Sequence, residues 1–161
     1  MGLREEMAGR YNPSPILTYT AMNEQQNVQK IQEGYDLFRK GDIQNLMKLY
    51  TEDIEFVIPG PAQVVPYAGI YRGQEQVTTF FAKLHEAIDF ERFETVECIA
   101  QGNAVVALGY AKGRARTTGQ ISEEEWAHVF RMRDGKVERF QVYTDTAAVV
   151  QAFQRSNQMA M

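Results

Sequence analysis

The chain has one cysteine, Cys98, in 161 residues, which excludes an internal disulfide and a thiolate zinc site. Two histidines, His85 and His128, are little imidazole with which to hold a structural metal, so no metal site is expected. Lys and Arg number 17 against 21 Asp and Glu, for a net charge of −4. No basic stripe is available to collect phosphates, and neither nucleic acid nor an anionic membrane is an expected partner. No apolar run approaches the ~20 residues that cross a bilayer, and the start, MGLREEMAGR, lacks the apolar core of a signal peptide. A soluble, cytoplasmic protein is expected. No GxGxxG opens a helix after a strand and no GxxxxGK[ST] occurs; GYAKGRARTTG (109–119) matches neither, so nucleotide binding has no support. The length suits one compact domain.

What is present is organised as helices first and strands later. Residues 1–22 show no sustained period, and Asn12, Pro13, Ser14 and Pro15 are expected to break any element there. They read as an N-terminal extension ahead of a single domain, 23–161, leaving open whether Met22 is an alternative start or whether Ile16, Leu17 and Tyr19 dock onto the body. From Asn23 on, Val28, Ile31, Tyr35 and Phe38 keep helical spacing until Gly41, where a left-handed residue suits a helix end. Asp42 is placed to cap a short second helix burying Ile43, Leu46, Leu49 and Tyr50. The strand IEFVI (54–58) follows. The segment 59–73 is too punctuated by Pro and Gly for regular structure, yet it carries Val64, Val65, Tyr67, Ile70 and Tyr71, so it should cover something apolar. Val77, Phe80, Phe81, Leu84 and Ile88 mark a third helix, with Leu46, Phe81 and Val105 expected in the core. The rest, to Asp145, reads as strands broken at Gly102-Asn103, Thr117-Thr118-Gly119 and Asp134-Gly135, and a short helix, 146–153, closes the chain. This order indicates α+β, with helices on one face of a curved antiparallel sheet.

The last hairpin, EWAHVFRMRDGKVERFQVYTD (125–145), carries the densest chemistry. A two-residue Asp-Gly turn without a bulge fixes its register. One face then holds Glu124, Trp126, His128, Phe130 and Met132 opposite Asp145, Tyr143, Gln141, Arg139 and Val137. Amphipathic aromatics mixed with His, Gln, Arg and Asp suit the wall of a partly apolar cavity. In that register Glu124 faces Asp145, and two carboxylates in a poorly hydrated place cannot both ionise cheaply, so one is expected to hold a proton near neutrality. The run Glu123-Glu124-Glu125 also reads as a solvated strand end. The opposite face, with Ala127, Val129, Phe140 and Val142, forms an apolar patch expected to bury itself in a homodimer. Cys98 reads as a packed, inert thiol and His85 as a surface residue.

Taken together, GDIQNLMKLYTEDIEF, YRGQEQVTTFFAKL, the WAHVFRMRDGKV stretch and Tyr143-Thr144-Asp145 resemble the SnoaL-like members of the nuclear transport factor 2-like superfamily, which includes the ketosteroid isomerases. The resemblance covers roughly 27–153. It implies a cone-shaped α+β barrel with a highly curved sheet wrapped round the N-terminal helices, an apolar pocket at the open end and frequent homodimers through the outer sheet face. It does not carry a function by itself. The ketosteroid isomerase base would fall at Ile58 and the oxyanion tyrosine at Gly34, next to Tyr35, so steroid isomerase chemistry is disfavoured. The polyketide-cyclase branch has an acid/base carboxylate facing the cavity from the last two strands, which implies Asp145 and His128 as the catalytic pair here.

The expected chemistry is proton transfer at carbon next to a carbonyl, by a cofactor-independent lyase, isomerase or cyclase acting on a small apolar carbonyl compound. Trp126, Tyr143, Gln141, Arg139, Tyr50, Tyr67, Tyr71 and Phe130 are the expected substrate-binding residues. Two other readings stay open at this point. One is a non-catalytic ligand-binding or scaffolding homodimer of the same fold. The other is an epoxide hydrolase-like site in which Arg139, Asp145 and Glu124 grip a water.

Overall fold

A computed structural model of the chain describes residues 14–154. Its elements are α1 (Ser14–Lys40), α2 (Ile43–Met47), β1 (Tyr50–Ile58), β2 (Gly69–Arg72), α3 (Gly73–Ala87), β3 (Ile88–Gln101), β4 (Ala104–Ala115), β5 (Ile121–Arg133), β6 (Lys136–Thr144) and α4 (Thr146–Phe153). The strands make one six-stranded sheet in the order β2-β1-β6-β5-β4-β3. All neighbours are antiparallel except β1 and β6. The α+β class is the one expected, with α1 to α3 gathered against one face of a curved sheet. No helix among the described residues is long and apolar enough to cross a membrane.

The helix that the periodicity places from Asn23 begins at Ser14 instead. Pro15 falls in its first turn, where the missing N–H would have had no intrahelical partner, so the proline starts the helix rather than breaking it. Residues 1–13 of the expected extension, and the side chains of Ile16, Leu17 and Tyr19, lie outside the described residues. Gly41 ends α1 with φ of 72°, and Asp42 caps α2, its Oδ1 accepting from the Asn45 N–H at 3.2 Å. Glu24 on α1 reaches the other way and accepts from the Gly102 N–H at 2.8 Å, fixing the helix to the β3–β4 turn.

Segment 59–73 is less irregular than its prolines and glycines suggest. Gly69–Arg72 pairs with β1 as β2, and Val65, Tyr67 and Tyr71 are buried. In α3 the phase is also slightly different from expectation. Val77 and Phe80 are buried while Phe81 is half-buried, because Phe80 is the side chain that points into the ring cluster of Phe56 (5.5 Å), Tyr71 (5.3 Å) and Phe81 (5.1 Å). Leu46 and Val105 are in the core as expected. At the free edge of the sheet, β3 carries two irregularities, between Phe90 and Arg92 and between Thr95 and Glu97.

The Asp134-Gly135 turn has positive φ at both residues, 52° and 77°, as a type I′ turn requires. Arg133 pairs with Lys136 and Met132 with Val137, the expected register. The next pair is Arg131 with Arg139, so a bulge leaves Glu138 without a partner and every later pairing shifts by one. The cause is in the side chains. Val137 and Phe140 are both buried, and residues three apart cannot share a face of a strictly alternating strand. Without the bulge, Arg139 and Gln141 would point into the apolar interior, a larger penalty than one unpaired ladder position. The expected faces of β6 are therefore exchanged beyond Val137: Phe140 and Val142 face inward, while Arg139, Gln141 and Tyr143 face outward. The outer apolar patch expected to form a dimer loses both Phe140 and Val142.

Because Phe80 and not Phe81 is the anchor of α3, Phe80→Ala is expected to lower unfolding stability by ~3–5 kcal/mol, as for other buried aromatic truncations. Denaturant titration checks it, with Phe81→Ala, half-buried, expected to show the smaller loss.

Candidate functional site

The concave face is built by an alternation of large and small side chains on neighbouring strands. β5 directs Trp126, His128, Phe130 and Met132 inward, and β4 directs Val105, Ala107, Gly109, Ala111, Gly113 and Ala115 inward. The small row on β4 makes room for the aromatic row on β5 to lean across it. Inside the curve lies a cavity of about 140 Å³. Its walls come from Ile31, Tyr35 and Phe38 on α1, Leu49, Tyr50 and Phe56, Val65 and Tyr67 in the loop, Phe80 and Phe81, Phe90 and Phe93, Glu124, Trp126, His128 and Phe130 on β5, and Phe140, Val142 and Thr144 on β6. The rings are ordered against one another. Trp126 stacks on His128 at 3.8 Å and 14°, and Phe93 stacks on Trp126 at 5.1 Å and 22°.

Two polar groups in this apolar setting are perturbed in different ways. His128 is fully enclosed, and burial pushes its pKa down to about 3, so the imidazole is neutral at ordinary pH. The Tyr35 hydroxyl and its Nδ1 are hydrogen-bonded at 2.6 Å. Burial also raises the Tyr35 phenol, so the phenol keeps its proton. Glu124 is half-buried on the cavity wall, and one carboxyl oxygen, Oε2, is buried without a hydrogen-bond partner among the described residues. Burial raises its pKa, a hydrogen bond from Ser122 partly offsets this, and the nearby charge of Asp145 adds to the rise. Tyr67, also on the wall, is raised by burial and by the Glu124 charge. Tyr50 is raised by burial alone. Among the described residues no three His, Cys, Asp or Glu side chains stand together as metal ligands.

Of the residues expected from the sequence, His128, Trp126, Phe130, Tyr50 and Tyr67 meet at this cavity. The others do not. Asp145 is exposed and caps α4, its Oδ1 accepting from the Ala148 N–H at 3.1 Å. The bulge at Glu138 carries it past the position opposite Glu124, since Trp126 already pairs with Thr144. Arg139 pairs with Glu55 at 3.4 Å on the outer face, which removes the arginine from any water-gripping arrangement in the cavity. Gln141 also faces outward, and Tyr143 is 52% exposed. Tyr71 is buried, but its hydroxyl donates to the Tyr67 carbonyl at 2.9 Å. One cavity residue, Tyr35, is not among the expected site residues: it reads as helix core, though a tyrosine in an apolar helical stripe needs a partner for its hydroxyl. Glu124 is on the inward face as the alternation of β5 places it, but the expected chemistry gives it only a part in the epoxide hydrolase-like alternative.

A curved α+β sheet folded round an aromatic cavity is the architecture that the sequence resemblance implied. The chain belongs to the SnoaL-like domain family, whose pattern it matches over residues 31–140. Among solved structures it is similar to an NTF2-like protein from Burkholderia xenovorans LB400, with 32% identity, 81% of this chain and 98% of that chain covered, and a TM-score of 0.75. It is also similar to TerC, co-crystallised with polyporic acid, at 26% identity over 80% of this chain and 98% of that one, with a TM-score of 0.72. A curated relative, an uncharacterized protein of Mycobacterium tuberculosis (strain CDC 1551 / Oshkosh), is 22% identical over 79% of this chain and 95% of its own length.

Two pH effects follow, of opposite sign. For His128 the folded pKa lies below the unfolded value of ~6.5, so its neutral burial stabilises the fold fully above that pH. Stability should then fall as pH drops toward 3, with a slope approaching ~1.4 kcal/mol per pH unit. His128→Gln, which still accepts from Tyr35, should flatten that slope in pH-dependent denaturant unfolding. For Glu124 the folded pKa is raised, so its contribution is most favourable in acid and is lost as pH rises through the folded pKa. Glu124→Gln is therefore expected to raise the thermal unfolding midpoint at neutral pH, as differential scanning calorimetry would show.

Proposed function

We propose that this protein is a cofactor-independent enzyme of the isomerase, cyclase or lyase kind, moving a proton at the carbon beside a carbonyl of a small, largely apolar compound, with Glu124 as the base. The observation that carries this reading is the half-buried Glu124 carboxylate on the wall of an aromatic cavity, with one oxygen, Oε2, left without a hydrogen-bond partner among the described residues. A carboxylate with a raised pKa is a better proton acceptor, and a dry apolar wall keeps water from competing for it. His128 is neutral, and with the Tyr35 hydroxyl donating to its Nδ1 the ring carries its proton on Nε2 and acts as a donor to a carbonyl oxygen rather than a base. Tyr35 acts by fixing that tautomer. The Tyr67 phenol, beside Glu124, remains protonated and is a second donor. Asp145 is not the base in this reading; it caps α4, and its charge adds to the rise in the Glu124 pKa. That TerC was co-crystallised with polyporic acid supports the reading that this fold takes small organic ligands, and the aromatic walls suit an aromatic one.

The test is deuterium incorporation at the acetyl carbon of aromatic methyl ketones in heavy water, followed by proton NMR, with ligand binding measured in parallel by thermal shift. The wild-type protein should accelerate exchange. Glu124→Gln should bind the ketone with little change and lose exchange by on the order of 10²–10⁴-fold, the contribution typical of a general base. Tight binding with no exchange at any pH would make the cavity a ligand-binding module instead.

A further inference from the structure

We infer that Gly109 sets the size of ligand the cavity accepts, through the position of Trp126; this rests on the cavity being the ligand site, as proposed above. Gly109 on β4 pairs with Trp126 on β5. A Cβ at position 109 would stand 2.1 Å from Trp126 Cζ2, 2.4 Å from its Cη2 and 2.3 Å from the Glu94 carbonyl oxygen. The benzo edge of the indole thus occupies the space that any side chain at 109 would need. The ring has little freedom to slide away within the sheet surface, because His128 stacks on it at 3.8 Å and Phe93 at 5.1 Å. Off the sheet it meets Tyr35 of α1, stacked on it at 5.8 Å and 27°, so a ring lifted by a side chain at 109 displaces that phenol with it into the cavity both line. With glycine the ring sinks to the sheet; with a methyl group the ring and the phenol rise and the cavity shortens. Gly109 is not in a left-handed conformation, so the requirement for glycine here is the indole and the neighbouring carbonyl, not backbone φ.

The experiment compares the affinities of the wild-type protein, Gly109→Ala and the double variant Gly109→Ala/Trp126→Val for the acetyl derivatives of benzene and naphthalene. The quantity read is the ratio of the two dissociation constants. Gly109→Ala should shift that ratio against the larger ketone by about tenfold, the scale on which an apolar pocket discriminates small changes in size. Removing the indole should reverse the shift in the double variant. Trp126 is the chain's one tryptophan, so its fluorescence should also change in Gly109→Ala as the ring leaves the sheet. A folded Gly109→Ala with an unchanged ratio would overturn the inference. If Gly109→Ala does not fold, a double variant that folds with the unfolding midpoint of Trp126→Val alone supports it, and one that fails to fold overturns it, since the Glu94 carbonyl would then be the constraint. An absence of deuterium exchange in wild-type protein that binds both ketones bears on the proposed base alone and leaves this size relation standing.

Discussion

The architecture depends on one steric bargain between adjacent strands: β4 gives up side-chain volume so that β5 can project its rings across it. A sheet bent round helices brings the inward side chains of neighbouring strands closer together, and two rows of large residues could not both fit. Ala107, Gly109 and Ala111 sit beside His128, Trp126 and Glu124 in the β4–β5 pairing, so the space missing from one strand is filled from the next. The aromatic contacts from Phe93 through Trp126 and His128 to Phe140 then run across the sheet as one packed band. The cavity is what the band and the helices leave unfilled.

That band also explains why two titratable groups on the same strand face diverge. His128 lies in the middle of it, enclosed by rings, where only a neutral side chain is tolerable and the Tyr35 hydroxyl satisfies its acceptor. Glu124 lies four residues nearer the strand's start, at the margin where loop 59–68 and the beginning of α4 meet the sheet. It keeps some contact with solvent and some exposure to apolar surroundings, and the balance raises its pKa without neutralising it by design of a partner. Position along the strand, rather than residue type alone, separates a group that burial keeps neutral from a carboxylate that keeps one oxygen without a partner among the described residues.

Most of the fold was legible in the sequence because it rests on local signals. Gly41, Asp42 and Asp134-Gly135 each act within a few residues and appear where they were expected, and the apolar spacing located α1 and α3, though not the start of α1 or the exact phase of α3. The site was legible only up to Val137. Beyond it the alternation rule carried Arg139, Gln141, Tyr143 and Asp145 to the wrong face or position, because a single extra residue inverts all that follow. The signal was nevertheless present: Val137, Phe140 and Val142 are apolar at intervals of three and two, a pattern that an unbroken strand cannot bury on one side. Glu124 was legible as inward-facing by the same alternation, because the extra residue lies on β6 and not on β5.

The edge strand β3 bears on how readily another strand could add to the sheet. It is long, has no strand paired to its outer side among the described residues, and shows Val96 and Ile99 exposed, features that in a flat strand would template the addition of another. Its two irregularities interrupt the row of backbone groups twice, and Glu91, Arg92, Glu94 and Glu97 space charges along it. An incoming strand would find no uninterrupted ladder to extend and would have to strip water from several charges to make even a short one. The bends that curl the sheet round its cavity therefore also protect the protein from edge-to-edge aggregation.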